Sequence, residues 1–261
     1  MKKATINVGG LLVQLAGLAW VGLRVRPAPF APVDRQPEPA QSIALPEGLP
    51  APVERYYRAT YGERVPAVNS GVVSGRGTMR LFGIMFPLRF RFMHEAGRNF
   101  RSYFELTMFG RPVMKVNEHY RDDKFRQELP FGVEEGEPKN DHSAALRMWS
   151  EWALWLPAML LREPDVRWVP VDDTMALLTV PTQEGEEHLV VRFDPATGKA
   201  QHVEAMKYKH PADTAKTLWV NAVWFGDMPW ASFDIEDVTL NAEVDTSVDA
   251  KGAQAQGERR V

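Results

Sequence analysis

Six histidines, at positions 94, 119, 142, 188, 202 and 210, are the side chains best able to hold a metal or move a proton. None of them stands in an H-x-H or H-E-x-x-H spacing, the patterns that put two ligands on one face of a strand or helix. No metal site is assigned on this basis. The densest polar group, "NEHYRDD", gathers Glu118, His119, Asp122 and Asp123, which a charged strand end and turn explain. Asp172 and Asp173 read as a second acidic turn, there is no G-x-S-x-G elbow, and "SGRGT" is too short for a phosphate loop. The chain has no cysteine, which excludes disulfides, thiolate ligands and a cysteine nucleophile. The residues therefore assign no catalytic group and no cofactor. A net charge of -3 gives no support for a nucleic-acid partner.

Apolar chemistry is better represented. "MWSEWALWLPAML" carries three of the eight tryptophans, and at about 100° per residue its apolar side chains fall in one arc. Met148, Trp149, Trp152, Trp155, Leu156 and Met159 lie inside the arc, and Arg147, Ser150 and Glu151 outside it. Such a face either packs on a sheet as core or lines a space for an apolar ligand, with methionines adapting to its shape. The candidate ligand-lining set is Met148, Trp149, Trp152, Trp155 and Met159, with Phe90 and Phe92 from "LRFRF". Pro157 is expected to break the helix near Trp155 or Leu156.

In "LRFRF" the alternation puts Arg89 and Arg91 on the face opposite the phenylalanines. Six arginines and one acid occupy 76–101, whereas 234–249 holds six acids and no lysine or arginine. Arg89 and Arg91 are candidates for an exposed, membrane-facing basic patch that meets anionic headgroups. The alternative is that they pair with acids on a neighbouring strand.

These groups must be positioned by ordinary elements. Residues 1–26 begin with Lys2 and Lys3 and continue uncharged from Ala4 to Leu23, long enough for a transmembrane signal anchor. A cleaved signal peptide is the alternative, but Ala28 and Ala31 are each followed by proline, a poor residue after a cut. Residues 27–48 form a Pro-rich linker expected to be a free, semi-rigid spacer. Residues 245–261 are polar and aperiodic, a disordered tail. Between them, 49–244 reads as one domain. A short helix over "LPAPVERYYRATYG" precedes about ten strands with period-two patterns, with the Trp helix inserted midway. Turns are expected at 95–99, at Asp122-Asp123 and at 194–198. The fold class is mainly β (α+β): a curved antiparallel sheet or half-barrel with one or two covering helices, plus the N-terminal transmembrane helix.

The segments "LPAPVERYYR", "WLPAMLL" with "VRWVPVDDTMALLTV", and "VVRFDPATGKAQHVEA" resemble a bacterial membrane-anchored family of unknown function. In plan such domains are similar to periplasmic lipoprotein carriers, whose half-barrel sheet holds apolar chains. The resemblance implies a non-catalytic domain on the extracytoplasmic side of the inner membrane, anchored by a single pass. Its expected partner is a membrane lipid or other apolar ligand, or a partner protein. The alternative is an accessory subunit of a membrane protein complex. The resemblance carries no catalytic residues with it.

Overall fold

The computed structural model describes residues 8–34, 41–222 and 229–244. The expected tail, residues 35–40 of the expected linker and part of the expected strand through Trp224 lie outside them. The first helix, α1 (Val8–Gly22), is uncharged throughout. Among the described residues no helix is long and apolar enough to cross a membrane. At 15 residues α1 is about 22 Å long, and the start of the expected span, 4–7, is outside the described chain.

After the short ribbon of β1 (Ser42–Ala44) and β2 (Arg64–Pro66), which flank α2 (Ala51–Tyr61), a meander begins. It runs through β3 (Ser70–Leu81), β4 (Ile84–Glu95), β5 (Asn99–Met108), β6 (Arg111–Arg121), β7 (Lys124–Leu129) and β8 (Gly132–Glu135). Then come α3 (Pro138–Trp155) and the single turn α4 (Pro157–Leu160). A second meander follows: β9 (Arg167–Asp172), β10 (Met175–Thr182), β11 (Gly185–Phe193), β12 (Ala200–Lys207) and β13 (Thr217–Ala222). Finally β14 (Ala231–Leu240) returns to pair antiparallel with β3.

The fold is mainly β and antiparallel, as expected, with the turns at the expected places. It differs in how the strands group. A seven-stranded sheet, β14-β3-β4-β5-β6-β7-β8, and a five-stranded sheet, β13-β12-β11-β10-β9, replace the one continuous curved sheet, and neither closes as a barrel. The reason is α3, which intervenes between β8 and β9 and packs against both sheets. It touches β10, β11 and β12 on one side and β6 and β7 on the other. A helix so placed has no solvent face over much of its length, and Ala144, Ala145, Leu146 and every residue from Met148 to Ala153 are buried.

The break after α3 is held from α2. Pro157 has no N–H, so the carbonyl of Ala153 loses its helical donor. The Tyr56 hydroxyl donates to that carbonyl at 2.7 Å, and Tyr57 donates to the Pro157 carbonyl at 2.9 Å. Both tyrosines are buried, and Gly62 at φ 80 ends their helix. Tyr56→Phe keeps the ring packing but leaves the buried Ala153 oxygen unpaired. Urea unfolding should show a loss of about 1–3 kcal/mol, and an unchanged midpoint would refute this role.

Candidate functional site

The predicted apolar set lies within a filled core. Trp149 and Trp152 are fully buried with edge-on rings 5.2 Å apart. Each indole N–H has a buried acceptor: Trp149 donates to the Pro181 carbonyl and Trp152 to His94 Nδ1, both at 3.1 Å. Met148, Met159, Phe90 and Phe92 are buried as well. Phe90 and Phe92 pack together at 4.8 Å, with Phe233 edge-on to both. Trp155 is partly buried and stacks on Phe92 at 5.9 Å. The structure thus joins Met148, Trp149, Trp152, Met159, Phe90 and Phe92 in one core cluster, with Trp155 packed against it. Trp149 turns towards the five-stranded sheet.

The residues of α3 outside the apolar arc are largely enclosed as well. Arg147 bonds Glu151 at 2.7 Å, one helical turn away, and reaches across to Glu118 on β6 and Ser102 on β5. Its guanidinium also lies over the rings of Phe92 and Phe100, at 5.4 and 5.1 Å. Gln127 donates to the remaining oxygen of Glu118 at 2.6 Å. The second oxygen of Glu151 faces His94 Nε2 at 3.3 Å. Because Nδ1 of His94 accepts from Trp152, the neutral ring carries its proton on Nε2, which lies near Glu151 without making a hydrogen bond to it. Burial, with Arg147 adding to it, holds the His94 imidazole down at about 3. Burial likewise pushes the Glu151 carboxyl up, against the pull of Arg147. Lys207, at the margin, is lowered to about 8, first by burial and then by Arg147.

A second cluster joins α3 to the five-stranded sheet. His142 Nε2, Glu184 and Glu187 place three ligand-type atoms within 4.8 Å of one another. The Lys216 ammonium lies 2.6 Å from Glu187, 3.0 Å from Glu184 and 3.0 Å from His142. It fills the position a metal would take, so the donor set is accounted for as an ion-pair cluster.

The arginine face is not the open patch expected. Arg89 and Arg91 are half-buried, and residues 27–34 of the expected free spacer run across them. Arg76 donates to the Pro27 carbonyl at 3.2 Å, Arg89 to the Ala28 carbonyl at 3.3 Å, and Arg91 to the Ala31 carbonyl. The Phe30 ring lies under both Arg89 and Arg91, at 4.4 and 5.3 Å, and against Tyr103 at 5.7 Å. The acids are on neighbouring strands: Glu105 pairs with Arg89 at 2.7 Å, and Glu236 of β14 with Arg76 at 2.6 Å. The physical reason is geometric. An extended Pro-rich strand has unpaired carbonyls, and a row of guanidinium groups supplies donors to them. A cleft of about 300 Å³ remains beside Phe30, lined by Pro29, Pro32, Ser74, Gly75, Glu236 and Asp237.

The charged cluster around Arg147 had one legible trace, Arg147 and Glu151 at i, i+4. Nothing in the sequence showed that Glu118 or His94 would face them.

Two measurements follow from these contacts. Phe30→Ala should cost about 1–2 kcal/mol of domain stability through lost ring and guanidinium contacts, read as a lower urea midpoint; a free spacer would show no change. For His94, the unfolded chain binds a proton that the fold rejects between about pH 6.5 and 3. Stability should therefore fall as the pH drops through that window, by up to about 1.4 kcal/mol per pH unit. The raised Glu151 opposes this trend, so the comparison is with His94→Asn, whose carbonyl keeps an acceptor for Trp152. The parent should lose more stability than His94→Asn between pH 7 and 5, and parallel losses would discard the assignment.

No curated protein matches this chain. A crystal structure of a DUF1329 family protein from Desulfovibrio piger ATCC 29098 is similar at 12% identity and a TM-score of 0.35. It covers 75% of this chain and 92% of that one. A likeness at that level carries no argument about fold or function. The sequence match is firmer: residues 39–229 fit a family described only as one of unknown function. That match spans most of the chain, and the protein belongs to the family of unknown function DUF6544.

Proposed function

We propose that this protein is a non-catalytic domain held at a bacterial membrane surface by its N-terminal helix, where it engages lipid or a membrane partner. The observation that carries this reading is α1. It has no charged residue, and Leu12, Val13, Leu15, Leu18 and Val21 are exposed although they point all round its axis. A helix that is apolar on every side is stable only when something apolar surrounds it. The domain meets it at its C-terminal end, where Phe109 N–H donates to the Gly22 carbonyl at 2.8 Å. Trp20 and Arg24 mark that end, the guanidinium 4.8 Å from the ring, the pairing of aromatic and cation suited to a headgroup layer.

The domain's interior argues for the bilayer, rather than a lipid held in the core, as the apolar partner. Trp149 and Trp152 are wholly buried and hydrogen-bonded, which leaves their rings to packing. The extracytoplasmic orientation is part of the same proposal and follows from the retained-anchor reading of residues 1–26. Membrane fractionation tests it. The full chain should stay with membranes through carbonate washing and leave in detergent. A variant lacking residues 1–23 should be soluble and keep the melting temperature of its domain. Full-length protein recovered without detergent in the soluble fraction would sink the proposal, and carbonate release would favour a peripheral subunit of a complex.

A further inference from the structure

Three hairpins of the seven-stranded sheet turn on a Phe-Gly pair or just before its glycine. Phe82-Gly83 joins β3 to β4, Phe109-Gly110 joins β5 to β6, and Pro130-Phe131 joins β7 to β8 ahead of Gly132. In a meander alternate turns lie at the same end, so the three phenylalanines share one rim. The turns at the other end carry Arg98 and the pair Asp122-Asp123. One end of the sheet is thus aromatic and the other charged.

Two of these rings stand almost free of the fold, whereas Phe109 is only 44% exposed. Phe82 is 91% exposed and Phe131 76% exposed. Phe82 and Phe109 also adopt φ of 50° and 53°, the left-handed region that asparagine or glycine would occupy at such turns. A bulky residue there is unfavourable, and strain of this kind is kept where something other than folding requires the side chain. Ile84, Val113 and Val133 add exposed apolar surface to the same rim. Trp230, exposed, joins it through its carbonyl, which accepts from Arg80 N–H at 2.9 Å.

What covers the rim is indicated by what leaves from it. The hydrogen bond from Phe109 to Gly22 puts the end of α1 on the central turn, and the Phe109 ring packs so closely on Gly22 that a side chain there would clash. Arg24 follows α1 by two residues and Arg111 follows the Phe109-Gly110 turn directly, so both stand next to that junction in the chain. We infer that the Phe82, Phe109 and Phe131 rim is a second membrane contact, its rings inserted at the boundary between phospholipid headgroups and acyl chains beside the α1 anchor. Aromatic rings favour that layer, and neighbouring arginines suit anionic headgroups. The inference rests on the membrane reading of α1 and adds that the domain is held upright, aromatic end down, rather than tethered loosely.

The absence of native cysteine makes the test direct, because one introduced thiol is labelled uniquely. Phe82→Cys, Phe131→Cys and Arg98→Cys would each be made in the full chain and labelled with a nitrobenzoxadiazole probe. Each would then be reconstituted in vesicles of phosphatidylcholine and phosphatidylglycerol. Probes at 82 and 131 should shift to the blue and be quenched by lipids spin-labelled on the acyl chain, while the probe at 98 should behave as in water. Water-like probes at 82 and 131 on vesicle-bound protein would overturn the rim and leave the anchor standing. Failure of the full chain to bind vesicles at all would overturn both. Phe82→Asn supplies the independent check: the melting temperature in detergent should hold or rise, since asparagine suits the turn. A fall would assign the ring to folding and remove the inference.

Discussion

Everything in the domain is arranged around a helix with no free side. α3 is pressed between a seven-stranded and a five-stranded sheet, so its polar residues Asp141, His142, Ser150 and Glu151 are buried and Arg147 nearly so. Arg147 is the sharpest case. Its side chain keeps only 22% of its surface exposed, and a guanidinium so enclosed needs partners, because removing one member of a largely buried ion pair is costly. The fold meets this by facing Arg147 with Glu151 from its own helix, Glu118 from β6 and the hydroxyl of Ser102 from β5, with two aromatic faces alongside. Those partners come from strands whose other inward residues are Phe100, Phe104 and Tyr120, so the polar cluster is fixed in position by an apolar surround. The cluster specifies which strand faces which turn of the helix, whatever its net contribution to stability.

A comparable condition governs the outer face of the same sheet. There the row formed by Arg76, Arg89 and Arg91 faces away from the core and is covered by residues 26–34. The Pro-rich segment has carbonyls and few donors, and the guanidinium groups have donors and no acceptor, so each completes the other. Phe30 fills the space between two guanidinium groups that would otherwise repel across a low-dielectric gap. The consequence is that residues 27–34 pack on the domain as part of it. α1 therefore leaves at a defined place rather than from the end of a loose tether.

The sequence made the local parts of this legible and the joint parts obscure. The periods of β3 to β7, the stop at Gly62, the break at Pro157 and the acidic turns follow from residues within a few positions of one another. The size of the sheets does not: whether β8 pairs with β9 is decided by where α3 lies, and that depends on burial over the whole chain. The arc of Trp149 and Trp152 was readable as apolar, but helical periodicity does not show that Ser150 and Glu151, outside the arc, are buried as well. Arg89 and Arg91 were correctly placed opposite Phe90 and Phe92. What covers them was hidden because their acceptors on residues 27–31 are backbone carbonyls, which every residue has. The Phe-Gly pairs are visible in the sequence, but that their phenylalanines share one rim follows only from the strand order.

That last point gives the molecule its direction. In a meander the parity of the hairpins sorts turn residues to opposite ends, and here the sorting separates chemistry: Phe82, Phe109 and Phe131 to one end, Arg98, Asp122 and Asp123 to the other. Both ends contain residues at positive φ, Phe82 and Phe109 at one and Arg98, Asp122 and Asp123 at the other. Turn geometry alone therefore does not select aromatic residues. Aspartate relieves such a conformation with its short polar side chain, and phenylalanine has no means of doing so. The difference between the ends has to come from outside the fold, and the apolar helix that meets the sheet at Phe109 identifies the side from which it comes.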